Sequence, residues 1–118
     1  MKHTKEEIAE ILRKHKLWLN GEIDGVRADL RGADLYEVNL RGADLRGADL
    51  DYSCLPLWCG SLYVNFDDKQ LTQIAYHLVK AGLHSKNASD ATKNELTKLV
   101  DFANQFHRIN ECGKIEVN

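Results

Sequence analysis

Arg27 to Leu57 reads RADL-RGADL-YEVNL-RGADL-RGADL-DYSCL-PL, and the spacing of its leucines decides the fold. Leucine recurs at 30, 35, 40, 45, 50 and 55. A small or short residue stands two places before each, at Ala28, Ala33, Val38, Ala43, Ala48 and Ser53. The place between holds Asp29, Asp34, Asn39, Asp44, Asp49 and Cys54. A period of five matches neither the turn of a helix nor the alternation of a strand. A fixed internal period means stacked units, each too small to bury its apolar face alone.

Outward from the repeat, residues 5–19 carry Ile8, Ile11, Leu12, Trp18 and Leu19 at helical spacing, with His15 on the same stripe. Thr4 and Glu7 form a capping-box pattern before them, and Asn20-Gly21 supplies the stop. Beyond the repeat, Leu62, Val64 and Phe66 alternate as one strand. The spacing predicts helices over 68–81, ended by Gly82, and over 90–108, then a short strand at 114–117. The expectation is one domain, 1–118: a capping helix in 1–21, the repeat in 22–60, and a strand with a two-helix cap in 61–118.

The repeat resembles the pentapeptide-repeat family, whose pattern is small–Asp/Asn–Leu/Phe–x–x. The resemblance implies a mixed fold of β-solenoid plus α: a short right-handed quadrilateral β-helix of about one and a half turns, capped by an N-terminal helix and two C-terminal helices. It implies that Leu30 to Leu55 and the small series point inward and that residues twenty apart stack, ~4.8 Å apart. Asp29 then lies over Asp49, a repulsive pair unless a neighbouring arginine intervenes, and Arg31 lies over Asp51. The chain also resembles small pentapeptide-repeat proteins of bacteriophage and prophage genomes. The carrying residues are Lys16 to Glu22, Cys54 to Gly60, Phe106-His107-Arg108 and Glu111-Cys112-Gly113.

Charge and composition narrow the function classes. The net charge of −2 gives no whole-chain reason to expect nucleic-acid binding. No apolar run approaches the ~20 residues of a membrane span. Three cysteines behind a polar N-terminus read as reduced thiols in the cytoplasm, and the phage resemblance makes that a bacterial host's. No phosphate loop, zinc-protease helix or nucleophile elbow occurs, so a non-enzyme is expected. The aspartates of the repeat read as backbone partners at its corners.

Three sets of residues are candidates for contact. Tyr36 with Arg31, Arg41 and Arg46, flanked by Asp29 and Asp49, is the candidate interaction surface, because exposed aromatics beside arginines favour protein interfaces. The same acidic faces raise the alternative of DNA mimicry, which a run this short supports only as an extended dimer. His77, Lys80, His84 and Arg108 are the candidate pocket for a small anionic ligand. Cys54, Cys59, His107 and Cys112 match a structural Cys3His zinc site in residue type, against the alternative of three small buried thiols. The function expected is a phage or prophage accessory protein that binds a host protein, inhibiting host defence or DNA metabolism. The alternatives are an oligomeric sponge for an anionic nucleotide signal and a structural or assembly protein. A homodimer is expected if the C-terminal helices leave an apolar stripe open.

Overall fold

In the computed structural model, which describes residues 4–117, the first helix forms where its capping box begins it. Helix α1 is Lys5–Leu19. The Glu7 amide donates to Thr4 Oγ1 at 3.0 Å and the Thr4 amide to Glu7 Oε1 at 3.3 Å. Glu6 and Glu7 sit in the first turn and Lys16 in the last, as the helix dipole favours. Gly21, at φ +74°, turns the chain back.

The chain gathers into two compact units, Met1–Asp67 and Asp68–Asn118. In the first, α1 lays Ile8, Ile11 and Leu12 against a core of Leu30, Leu35, Leu40, Leu45, Leu50 and the small residues Ala28, Ala33 and Ala48. Each five-residue step ends in a turn. The amides of Ala33, Val38, Ala43, Ala48 and Ser53 donate to the carbonyls of Leu30, Leu35, Leu40, Leu45 and Leu50. Gly32, Gly42 and Gly47 take positive φ at the second turn position, and Tyr52 does so at φ +62°. The leucines all face the core because every step closes with the same bond, donated to the leucine carbonyl by the amide three residues on.

The expected β-helix is corrected here. The described residues form five α-helices and no strand or sheet. Parallel pairing between layers appears only as isolated bridges, Asp29↔Asp49, Asp34↔Cys54 and Asp44↔Asn65, with single backbone bonds such as Leu40 amide to Gly60 carbonyl beside them. The reason is length. Only the middle residue of each three-residue extended piece bridges before the next turn intervenes, so no ladder forms. The strand expected over Leu62–Phe66 reduces to the bridge at Asn65 for the same reason.

The register between layers also slips. Leu30 and Leu35 amides reach the carbonyls of Asp49 and Cys54, nineteen residues on, whereas Leu40 and Leu45 reach Gly60 and Asn65, twenty on. One extra residue therefore enters between Cys54 and Gly60. A short 3-10 helix, Cys59–Ser61, follows it.

The second unit consists of α2 (Asp68–His84), α3 (Asp90–Thr97), α4 (Val100–Ala103) and α5 (Ile109–Cys112). Its core is Tyr76, Val79, Val100, Ala103, Phe106 and Ile115. Two helices were expected and four occur. Gly82 does not end α2, which runs on to His84; its missing Cβ makes room for Leu96 of α3. The helix expected over 90–108 breaks after Thr97, whose Oγ1 donates to the Lys93 carbonyl at 2.8 Å, a bond that bends helices. Lys98 and Leu99 then close tighter i→i−3 bonds.

The tail forms no strand among its described residues. Ile115 is buried, and both its backbone groups meet one side chain: its amide donates to Asn104 Oδ1 at 2.8 Å and its carbonyl accepts from Asn104 Nδ2 at 3.0 Å. Tyr76 Oη donates to the Gly113 carbonyl at 2.6 Å. Replacing Asn104 with alanine removes a paired donor and acceptor at once, and the expected loss is about 2–3 kcal/mol of unfolding free energy by urea titration. Among the described residues, no helix is long and apolar enough to cross a membrane.

Candidate functional site

The aspartates of the repeat hold the corners of the backbone. Oδ1 of Asp29, Asp34, Asn39, Asp44 and Asp49 accepts the amide two residues on, at 3.0–3.2 Å. Such a side-chain turn needs an acceptor, not a charge, so Asn39 serves as well as aspartate. Cys54 stands in the sixth place, and the residue two beyond it is Pro56, which has no amide to offer.

Charge is settled corner by corner. Arg31 forks onto Asp29, at 2.9 and 2.8 Å, and its Nε lies 3.8 Å from Asp49 Oδ2 in the next layer. The stacked pair Asp29 and Asp49 is thus spanned by an arginine. Arg46 forks onto Asp44 at 2.8 and 2.6 Å. Arg41 has the neutral Asn39 in the matching place, and its guanidinium lies over the Tyr63 ring at 4.9 Å. The Arg31 fork holds the Asp29 carboxyl down at about 2, from an ordinary 3.8. Its contribution to stability is full above the ordinary value and is lost as pH falls through about 2. Both partners are exposed, so solvent screening keeps the contribution small. Carboxyl-carbon NMR of the wild type is expected to show Asp29 titrating near the low value, and Arg31→Gln to return it toward the ordinary one.

Arg31, Tyr36, Arg41 and Arg46 head four successive turns. The ion pairs bring Arg31, Asp29 and Asp49 together and leave Arg41 and Arg46 on their own corners. Tyr36 meets different neighbours. With Glu37, Cys54, Leu55, Leu57 and Trp58 it lines an open groove of about 530 Å³. Leu57 is 98% exposed and Tyr36 69%. Trp58 is fixed across the layers by its Nε1, which donates to the Val38 carbonyl at 3.3 Å. Tyr36 and Glu37 also border a smaller hollow, about 160 Å³, with Lys5, Ile8, Asp34 and Val38.

Residues 26–56 match the family model described as Pentapeptide repeats (8 copies). This segment carries pentapeptide repeats. No curated protein and no solved structure matches the chain. The groove lies where the pentapeptide repeat is least regular. Tyr36-Glu37 replaces the Arg-Gly of its neighbours, and the extra residue after Cys54 breaks the register in the stretch that holds Leu57 and Trp58. Sequence reasoning singled out Tyr36 but missed Leu57, Trp58 and Glu37. The break in period was the signal that could have found them.

In the second unit, Tyr76, His77, Lys80, Ala81 and His84 of α2 line a recess of about 410 Å³. His77 Nδ1 pairs with the Gln73 carbonyl at 2.8 Å. Arg108 is not part of that lining and is held by Glu111, 2.7 Å from its Nε. The candidate zinc residues are divided between the units, Cys54 and Cys59 in the first and His107 and Cys112 in the second, and among the described residues no group of three or more His, Cys, Asp or Glu is placed to hold a metal ion. Cys54, Cys59 and Cys112 are free and exposed, so they are not the buried thiols of the alternative. Cys54 follows the outward aspartate series, and Cys112 ends α5 at the surface.

Proposed function

We propose that the chain is a non-catalytic interaction protein that engages another protein through its repeat unit. The partner is a host protein, and the outcome is inhibition of host defence or DNA metabolism, in keeping with the resemblance to phage and prophage accessory proteins. One observation carries the reading. Tyr36, Leu57 and the anchored Trp58 expose apolar and aromatic surface in a groove on a rigidly turned scaffold. Such a contiguous patch marks contact surfaces, and aromatics are enriched there.

The test is an affinity pull-down of the tagged full chain from bacterial lysate, read by mass spectrometry, with Tyr36→Ala and Arg31→Glu beside the wild type. A host protein retained by the wild type and lost with Tyr36→Ala is expected. A wild-type eluate free of enriched protein contradicts the reading. A second reading, sequestration of a small anionic ligand, is favoured by the placement of His77, Lys80 and His84 around one recess. It predicts a rise in melting temperature on adding a nucleotide, abolished by Lys80→Glu.

A further inference from the structure

The two departures from the repeat meet at one place. Asp34 bridges to Cys54, so the Tyr36-Glu37 turn of one layer lies beside the irregular Leu55–Trp58 stretch of the next. We propose that this corner receives a peptide segment of a partner protein that carries an apolar side chain next to a lysine or arginine. The apolar side chain seats among Tyr36, Leu57 and Trp58, and the cation faces Glu37 and Asp34. The inference rests on the reading of the repeat unit as a binding surface and adds the chemistry of what it binds.

Charge complementarity carries it. At the Arg-Gly corners, Arg31 and Arg46 neutralise Asp29 and Asp44 within the same turn. At this corner the arginine is replaced by Tyr36 and the glycine by Glu37, so two carboxylates stand where the Arg31 and Arg46 corners carry a neutral pair. Asp34 uses Oδ1 for the Tyr36 amide. Among the described residues, no cation is ion-paired with Asp34 or Glu37; Lys5 lines the adjoining hollow without pairing with either. The two hollows share Tyr36 and Glu37, which places an apolar floor and an acidic flank side by side. Leu57 lies outside the core at 98% exposure and lines the groove, so its side chain is open to an occupant. Trp58, already held by the Val38 carbonyl, loses little freedom when covered.

A random peptide display library is panned on the full chain and counter-selected on Leu57→Asp. Enriched peptides are expected to combine a Trp, Phe or Leu with Lys or Arg. A representative is then titrated by fluorescence anisotropy against the wild type, Leu57→Asp, Glu37→Lys and Asp34→Asn. Loss of about tenfold in affinity is expected for Leu57→Asp and Glu37→Lys, and a smaller loss for Asp34→Asn, which keeps the turn acceptor. Leu57 and Glu37 are exposed, so unchanged circular dichroism and melting confirm that these variants fold. No enrichment, acidic winners, or winners that bind Leu57→Asp equally well overturn the inference. So does a wild-type dimer that Leu57→Asp dissociates, since the groove then belongs to a second copy. If panning fails while Tyr36→Ala still loses a pull-down partner, only this inference falls and the binding reading stands.

Discussion

Replacing His15 with alanine is expected to lower the unfolding free energy by about 3–5 kcal/mol, the largest single-residue effect in the chain. His15 lies in α1 with no solvent exposure. The Ala28 amide donates to Nδ1 at 3.0 Å, so the proton sits on Nε2, which donates to the Arg46 carbonyl at 2.8 Å. One imidazole thus satisfies an amide thirteen residues away and a carbonyl thirty-one away, fastening the helix to both ends of the first repeat layer. Its ring also stacks on Trp18, with centroids 5.3 Å apart. Alanine leaves both backbone groups buried without partners and opens a cavity. His15→Phe refills most of the volume but not the hydrogen bonds. Urea denaturation of both variants separates the two contributions: phenylalanine should recover less than half of the loss.

Gly25→Ala is expected to be nearly as damaging, at about 2–4 kcal/mol by the same measurement. An added Cβ would stand 2.2 Å from the Trp18 nitrogen and 2.6 Å from the Leu17 carbonyl carbon. These are backbone atoms and cannot rotate aside. Relief requires the chain to move off the end of α1, which pulls on the Val26 amide bond to the Lys14 carbonyl, 3.1 Å long. Two other glycines serve as controls. Gly42→Ala meets open space but must hold φ +74°, a cost of about 1 kcal/mol. Gly82→Ala lies in α2, and its Cβ meets only the tip of Leu96, which can swing away. Helix propensity favours alanine there, so the change should be close to neutral. A different order of the three would mean that the contact between α1 and the repeat is not tight.

Much of this was legible in the sequence because it is local. The Thr4–Glu7 cap and the Asn20-Gly21 stop are set by residues within one turn of each other. The leucine period placed Leu30, Leu35, Leu40, Leu45 and Leu50 in the core. Leu55 is only half-buried, because Pro56 and the extra residue that follow it end the regular turn. The aspartate column was also read correctly as a backbone device.

What was not legible depends on distant partners. His15 shows in sequence only as a member of an apolar stripe; its role lies in backbone groups of Ala28 and Arg46. Asn104 has no sequence mark of its clamp on Ile115. The β-helix expectation overran the pairing that five-residue steps can supply. At the candidate site, Tyr36 was visible as a misfit in the repeat, whereas its neighbours Leu57 and Trp58 belong to the next layer, where the register slips.

A partner that binds at the irregular corner of the repeat must distinguish two residues of equal exposure. Ile23 and Leu57 are 97% and 98% exposed, both in the first unit, but only Leu57 lines the groove. A photo-crosslinking amino acid installed at each position in turn, in the full chain expressed in bacterial cells, compares groove and control at equal exposure. A discrete higher-mass adduct from position 57 and none from position 23 is the expected result. Equal adducts from both positions, or none from position 57, would contradict the account.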